Sequence, residues 1–173
     1  MKLVQKRSKK TGLSPGTLIH IGEHRADTVA ITLFTYSGSQ CDERVVMDPN
    51  DLRMPVDETV TWVNVSGVHK VEVLEVFGKQ FGLHPLLLED IANTDQRPKL
   101  DDYETCLFLV VKMLTGTERG DTLVEQISFV IGRNYVLSFQ ENGTDVFRPV
   151  RDRLRSGKGR LRQHGADYLL YAL

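Results

Sequence analysis

Two adjacent carboxylates, Glu89 and Asp90, follow the apolar triplet Leu86-Leu87-Leu88. Such a pair can offer hard oxygen ligands to a divalent cation of the Mg2+ type, which dehydrates reluctantly and needs only one or two carboxylates plus waters. The plainer reading is two solvated surface acids. Their i+4 neighbours, Asn93 and Thr94, are not basic. With no helical ion pair to neutralise them, the two acids are expected to repel one another until a cation arrives. Consecutive helical residues stand about 100° apart around the axis, so both cannot chelate one ion side by side. Each needs oxygens from elsewhere, and Asp167, far along the chain, is the third candidate acid.

Other chemistries find less support. His20-Ile-Gly-Glu-His24 has the letters of the inverted zinc-peptidase motif, but that motif needs a helix to turn both imidazoles onto one metal. Gly22 and the strand expected from Thr28 argue for solvated histidines instead. There is no phosphate-binding glycine loop and no Gly-x-Ser-x-Gly elbow, and neither Cys41 nor Cys106 has the setting of a nucleophile. No nucleophile, base and orienter occur together, so an enzyme is not expected. Residues 148–162 hold seven basic side chains and one acid, which raises nucleic-acid binding as an alternative. They do not fall on one helical stripe and no aromatic residues interleave with them. No nucleic acid is therefore expected, and the acids between Glu89 and Glu104, in this chain or a neighbouring copy, are the expected partner.

The acids need a framework. Gly82 closes one helical pattern, and Pro85 suits a first helical position because its missing N–H has no partner there anyway. Asn93, Thr94 and Asp95 are turn formers, and Pro98 holds Arg97 extended. The result is a helix of about two turns. Ahead of it, strands are expected at Thr28 to Tyr36, Glu43 to Met47 and Thr59 to Val65, and then a helical stripe of Val71, Leu74, Phe77 and Phe81. Behind it, Thr105 to Leu114 reads as a strand buried on both faces. Leu123 to Ile131 and Tyr135 to Gln140 flank a hairpin loop. Helices are expected over Asp145 to Arg155 and from roughly Arg160 onward. The predicted fold is α/β or α+β: a mixed β-sheet flanked by helices in an α/β/α sandwich, with Trp62 in the core or on the sheet.

Residues 1–16 are expected to be a loose basic arm and 17–173 one domain. The composition, 40% apolar and 26% charged with net charge −1, demands neither nucleic acid nor a membrane surface. Two distant cysteines point to free thiols in a reducing compartment. No apolar run is long enough to cross a bilayer or serve as a signal peptide. Helical periodicity is still building at Leu173 without a stop signal, as expected of a truncated C-terminal helix in a longer parent protein.

The chain resembles the CorA family of magnesium/cobalt transport proteins in its cytosolic N-terminal part. The likeness runs in order through Pro15-Gly-Thr-Leu-Ile-His-Ile-Gly22, Thr61-Trp-Val-Asn-Val65, Phe81-Gly-Leu-His-Pro-Leu-Leu-Leu-Glu-Asp90, Asp95-Gln-Arg-Pro-Lys99 and Lys112-Met-Leu114. It continues through Glu125-Gln-Ile-Ser128, Val136-Leu-Ser-Phe-Gln-Glu141, Asp145-Val-Phe-Arg-Pro-Val-Arg151, Arg155-Ser-Gly-Lys-Gly-Arg160 and Ala166-Asp-Tyr-Leu-Leu-Tyr-Ala172. The resemblance implies a homopentameric transporter of the cell (inner) membrane whose cytoplasmic domains form a funnel. The long helix, the membrane spans and the Gly-Met-Asn pore signature would all lie beyond this chain. It implies Mg2+, with Co2+ as an alternative, as a regulatory ion between subunits that favours the closed pore. Carried over by motif, Asp90 would bind that ion, and Glu89 and Asp167 would help form a second nearby site. Without the long helix the isolated chain is expected to be monomeric or weakly associated. A zinc-transporting relative of the same superfamily, or a stand-alone soluble binding module, are the alternatives.

Overall fold

The computed structural model describes residues 14, 17–22, 28–55, 58–116, 120 and 122–173; the basic arm apart from Ser14, and the Glu23 and His24 half of the zinc-like motif, lie outside these. Seven strands, β1 (Ala30–Tyr36), β2 (Cys41–Val45), β3 (Val60–Ser66), β4 (Lys99–Asp102), β5 (Leu107–Gly116), β6 (Thr122–Ile131) and β7 (Tyr135–Gln140), form one sheet. Their order is β2-β1-β3-β7-β6-β5-β4. Only β3 and β7 run parallel; every other pair is antiparallel. Helices α1 (Val71–Phe81) and α2 (Pro85–Ala92) cover one face, and α3 (Arg148–Ser156) and α4 (Ala166–Ala172) the other. The expected three-layer arrangement is what the chain adopts.

Side-chain alternation along the central strands builds both cores at once. Val63, Val65, Leu137 and Phe139 face α1 and α2, whereas Trp62 and Val136 face α3 and α4. Trp62 is fully buried, stacked on Phe34 at 5.1 Å and meeting Phe147 edge-on at 5.7 Å. Its indole N–H donates to Ser138 Oγ at 2.9 Å, and that hydroxyl donates to Asn64 Oδ1 at 2.7 Å. A polar chain thus crosses β3 and β7 with its donors and acceptors matched. Both outer strands are charged, Asp42-Glu-Arg44 on β2 and Lys99 with Asp101 and Asp102 on β4, which discourages pairing with another sheet edge.

The differences from expectation have local causes. The second strand begins at Cys41 rather than Glu43 because residues 37–40 make a tight turn, closed by Ser37 N–H to Gln40 O at 2.9 Å. Strand β4 was not expected; it is a short, charged edge strand held by its register with β5. β5 is buried on one face only: Phe108 and Val110 are buried, while Leu107, Leu109, Val111 and Met113 stay partly open. On the α3/α4 side, Leu109, Val111 and Met113 of β5 pack, only partly buried, against the edge of that core. Helix α3 starts at Arg148, with Pro149 in its first turn where no N–H is needed. The segment after Arg160 opens with a single 3-10 turn, Leu161–Gln163, before α4 starts at Ala166.

Candidate divalent-cation site on the second helix

Helix α2 starts as its sequence dictates, with Pro85 in the first turn, and His84 Nδ1 accepts from Leu86 N–H at 3.2 Å as the N-cap. Leu87, Leu88, Ile91 and Ala92 bury its inner face. Gly78 lets α1 approach closely, since a Cβ there would sit 2.6 Å from Leu88 Cδ1. Glu89 and Asp90 fall at the half-buried margin of the helix. Asn93 ends α2, and its Oδ1 accepts from Asp95 N–H at 3.2 Å.

Asp90 is not left to repel Glu89. Its Oδ2 accepts from Lys99 Nζ at 2.6 Å, and its Oδ1 accepts from the Gln96 side-chain amide. The same Lys99 ammonium lies 2.6 Å from Asp101 Oδ2 and 5.5 Å from the centre of the Phe108 ring. This corrects the expectation that no local ion pair neutralises the acids. The neutralising residue arrives nine positions later, on β4, outside any helical spacing. Burial works against the Lys99 charge, but the hydrogen bonds to Asp101 and Asp90 outweigh it and hold the amine above its ordinary range. The Tyr103 hydroxyl is pushed up by burial and then by the charges of Asp90 and Asp101.

A buried amide fixes the segment that carries these partners. Gln126, on β6 and 2% exposed, accepts from Gln96 N–H at 3.1 Å and donates to Asn93 O at 3.0 Å. Lys112 Nζ bridges Gln126 Oε1 at 3.1 Å and Thr94 O at 2.7 Å. On the other side, Thr94 N–H donates to Ile21 O at 2.9 Å, and Ile21 N–H to Ala92 O at 3.0 Å. Gly22 passes so close to Thr94 Oγ1 that a Cβ would stand 2.0 Å from it. His20 and Ile21 therefore lie on extended backbone against the end of α2, not on a helix, which removes the geometry a zinc-peptidase motif requires.

Asp167 sits in the first turn of α4, exposed. Its charge, after burial and Cys41, helps raise the Tyr36 hydroxyl above its ordinary range. Because α2 and α4 pack on opposite faces of the sheet, Asp167 does not meet Glu89 or Asp90 within one chain. Among the described residues no three His, Cys, Asp or Glu side chains converge as a complete metal site. The oxygen donors nonetheless suit a hard cation, since Asp90 and Asp101 already place one oxygen each 2.6 Å from a single positive charge. Lys99, Gln96, Asp101 and Gln126 were not singled out from the sequence. The signal was available: Lys99 is one of two basic residues among the six acids from Glu89 to Glu104.

The basic segment finds partners within the chain, though not in that acidic stretch. Arg155 makes a two-pronged contact with Glu43 of β2, both bonds 2.7 Å, and a third to Asp152 at 2.9 Å. Arg151 pairs with Asp145. Arg162 donates to the carbonyls of Leu154 and, at 2.8 Å, Arg155 in the last turn of α3.

The family model for CorA-like Mg2+ transporter proteins matches residues 57–173. The cobalt/magnesium transport protein CorA of Thermotoga maritima is 43% identical over 168 residues, which are 96% of this chain and 48% of that protein. The chain thus spans about half the length of that relative. Among solved structures, the full-length CmaX protein aligns with a TM-score of 0.65 and 17% identity, over 87% of this chain and 45% of that one. The soluble domain of CorA from Methanocaldococcus jannaschii aligns with a TM-score of 0.58 and 15% identity, over 81% and 53%. At such identities the structural likeness speaks for the fold, a mixed sheet between helical layers. By the match across 57–173 and the identity to the Thermotoga protein, the chain belongs to the CorA-like Mg2+ transporter family.

Proposed function

We propose that the chain is the cytoplasmic regulatory domain of a divalent-cation transporter of the cell membrane. In this reading Mg2+, with Co2+ as a second ion, binds between copies of the domain in a homopentamer and favours the closed pore. The observation that carries the reading is the 43% identity, across 96% of this chain, to a protein named for cobalt/magnesium transport. Asp90 is the principal ligand, held at the end of α2 by the Gln126-anchored segment. Glu89 beside it and Asp167 contribute to a second position. Since the sheet separates Asp167 from α2 in one chain, that position draws on two copies.

Bound in such a seam, the ion would join carboxylates of neighbouring copies, a bridge that the Lys99 ammonium, held within one copy, does not make. The residues of this chain hold those carboxylates at the surface of a three-layer body, so exchanging an internal ion pair for a shared ion alters how copies adhere while the fold stays the same. The ion biases the pore only by binding the closed assembly better than the open one. The test is Asp90→Ala in the full-length protein. Mg2+ is expected to protect the wild-type assembly against protease, and Asp90→Ala to move that protection to higher Mg2+ concentration. An unchanged concentration dependence removes Asp90 from the sensing role.

A further inference from the structure

The geometry points to Lys99 as a tethered counter-cation that occupies the Asp90 carboxylate and that a divalent ion must displace. This rests on the reading of Asp90 as a ligand and concerns how that site is set. Both Asp90 oxygens are already engaged, Oδ1 by Gln96 and Oδ2 by Lys99 at 2.6 Å. The ammonium is shared with Asp101 Oδ2 at the same distance and lies over the Phe108 ring. The Lys99 and Asp90 side chains are 29% and 20% exposed, and Asp101 is 38% exposed. All three side chains keep part of their surface in water, so an ion can enter without unfolding the domain.

The position of Lys99 on the chain fixes its role. It is the first residue of β4, paired in register with Val110, and Pro98 precedes it. Its backbone is held by the sheet, while the four-carbon stem leaves the ammonium free to swing. A monovalent charge on a flexible stem can give way to a divalent ion and return when that ion leaves. The empty and loaded states then both keep Asp90 neutralised, so ion loss costs the isolated domain little stability. Competition of this kind also raises the Mg2+ concentration needed for occupancy, which places the response where a sensor is useful rather than at saturation.

The experiment compares full-length wild type, Lys99→Met, Lys99→Gln, Lys99→Arg and Asp90→Ala by the Mg2+ concentration that gives half-maximal protection from protease. Thermal unfolding in chelator confirms that each is folded. Methionine keeps the apolar stem over Phe108, and glutamine keeps a donor for Asp90, so at least one neutral variant retains the local packing. Both neutral variants are expected to need about three- to fivefold less Mg2+ than wild type, the factor set by removing one partly exposed ion pair. Lys99→Arg is expected to stay within about twofold. If the neutral variants need as much Mg2+ or more while Asp90→Ala shifts the response, Lys99 is not a competitor and only this inference falls. If Asp90→Ala leaves the response unchanged, the ion is seated elsewhere, and the proposed role of Asp90 falls with it.

Discussion

Replacing Gln126 by methionine keeps its length and removes its polarity, which isolates the contribution of one buried amide to the candidate site. Gln96 N–H and Asn93 C=O each lose the Gln126 side chain as a partner, and Lys112 Nζ loses its contact with Gln126 Oε1 while keeping that with Thr94 O. A buried polar group left unpaired costs about 1–3 kcal/mol. Asn93 and Gln96 are half-buried, so water can reach them and the lower end applies, about 1 kcal/mol each. The weakened Lys112 contact adds up to about 1 kcal/mol. The total is about 2–3 kcal/mol, or a fall of roughly 4–12 °C in Tm for a domain of this size. Urea and thermal unfolding of the purified chain measure it. Lys112→Met in the same background closes a double-mutant cycle whose coupling is expected to exceed about 0.5 kcal/mol. A Gln126→Met loss below about 0.5 kcal/mol would refute the idea that this amide anchors the segment from Asn93 to Gln96.

Besides the Asp90 and Lys99 experiments, two pH-dependent outcomes are expected. Burial raises the Glu125 carboxyl, against the opposing pull of Asn142 N–H and the Thr144 hydroxyl. The folded state therefore takes up a proton before the unfolded one as pH falls from 7 toward about 4.3, and this group adds stability on acidification. Glu125→Gln should raise Tm at pH 7, and the gain over wild type should shrink as pH falls through that window; a gain that grows on acidification would contradict the sign. Glu43 behaves oppositely, because its hydrogen bond from Arg155 outweighs burial and lowers its carboxyl. Its contribution is present above about pH 4.3 and disappears as pH falls through the lower folded value. Glu43→Gln should cost about 0.5–1 kcal/mol at pH 7, the modest size of a partly exposed pair, and progressively less by urea unfolding as pH falls below about 4.3.

The central architecture was legible because its signals are dense and local. Trp62 and its β-branched neighbours alternate, Gly82 and Pro85 bracket the step from α1 to α2, and β6 and β7 flank a short loop. The candidate site was half legible. Glu89 and Asp90 stand out as neighbours, yet the ion-pair partner of Asp90 comes from β4 and the amide that anchors the adjoining segment from β6, and helical spacing rules are silent about strands. β4 itself has four residues, three of them charged, and only its pairing with β5 makes it a strand. The expectation that β5 is buried on both faces failed for a related reason. Apolar density reports what a strand can bury, and how far Leu109, Val111 and Met113 are covered is decided by the tertiary packing on the α3 and α4 side.

The lone parallel pairing at the middle of the sheet has a kinetic meaning. Trp62 and Ser138, joined across it, are 76 positions apart, whereas the antiparallel neighbours on either side are mostly linked by short turns. The β1–β3 unit, with β1 in its middle, and the β4–β7 meander are each built from nearby stretches of chain, whereas joining them requires closing the longer connection that contains α1 and α2. The helix bearing Asp90 lies within that connection, so the surface around Asp90 is complete only when the two halves of the sheet have joined.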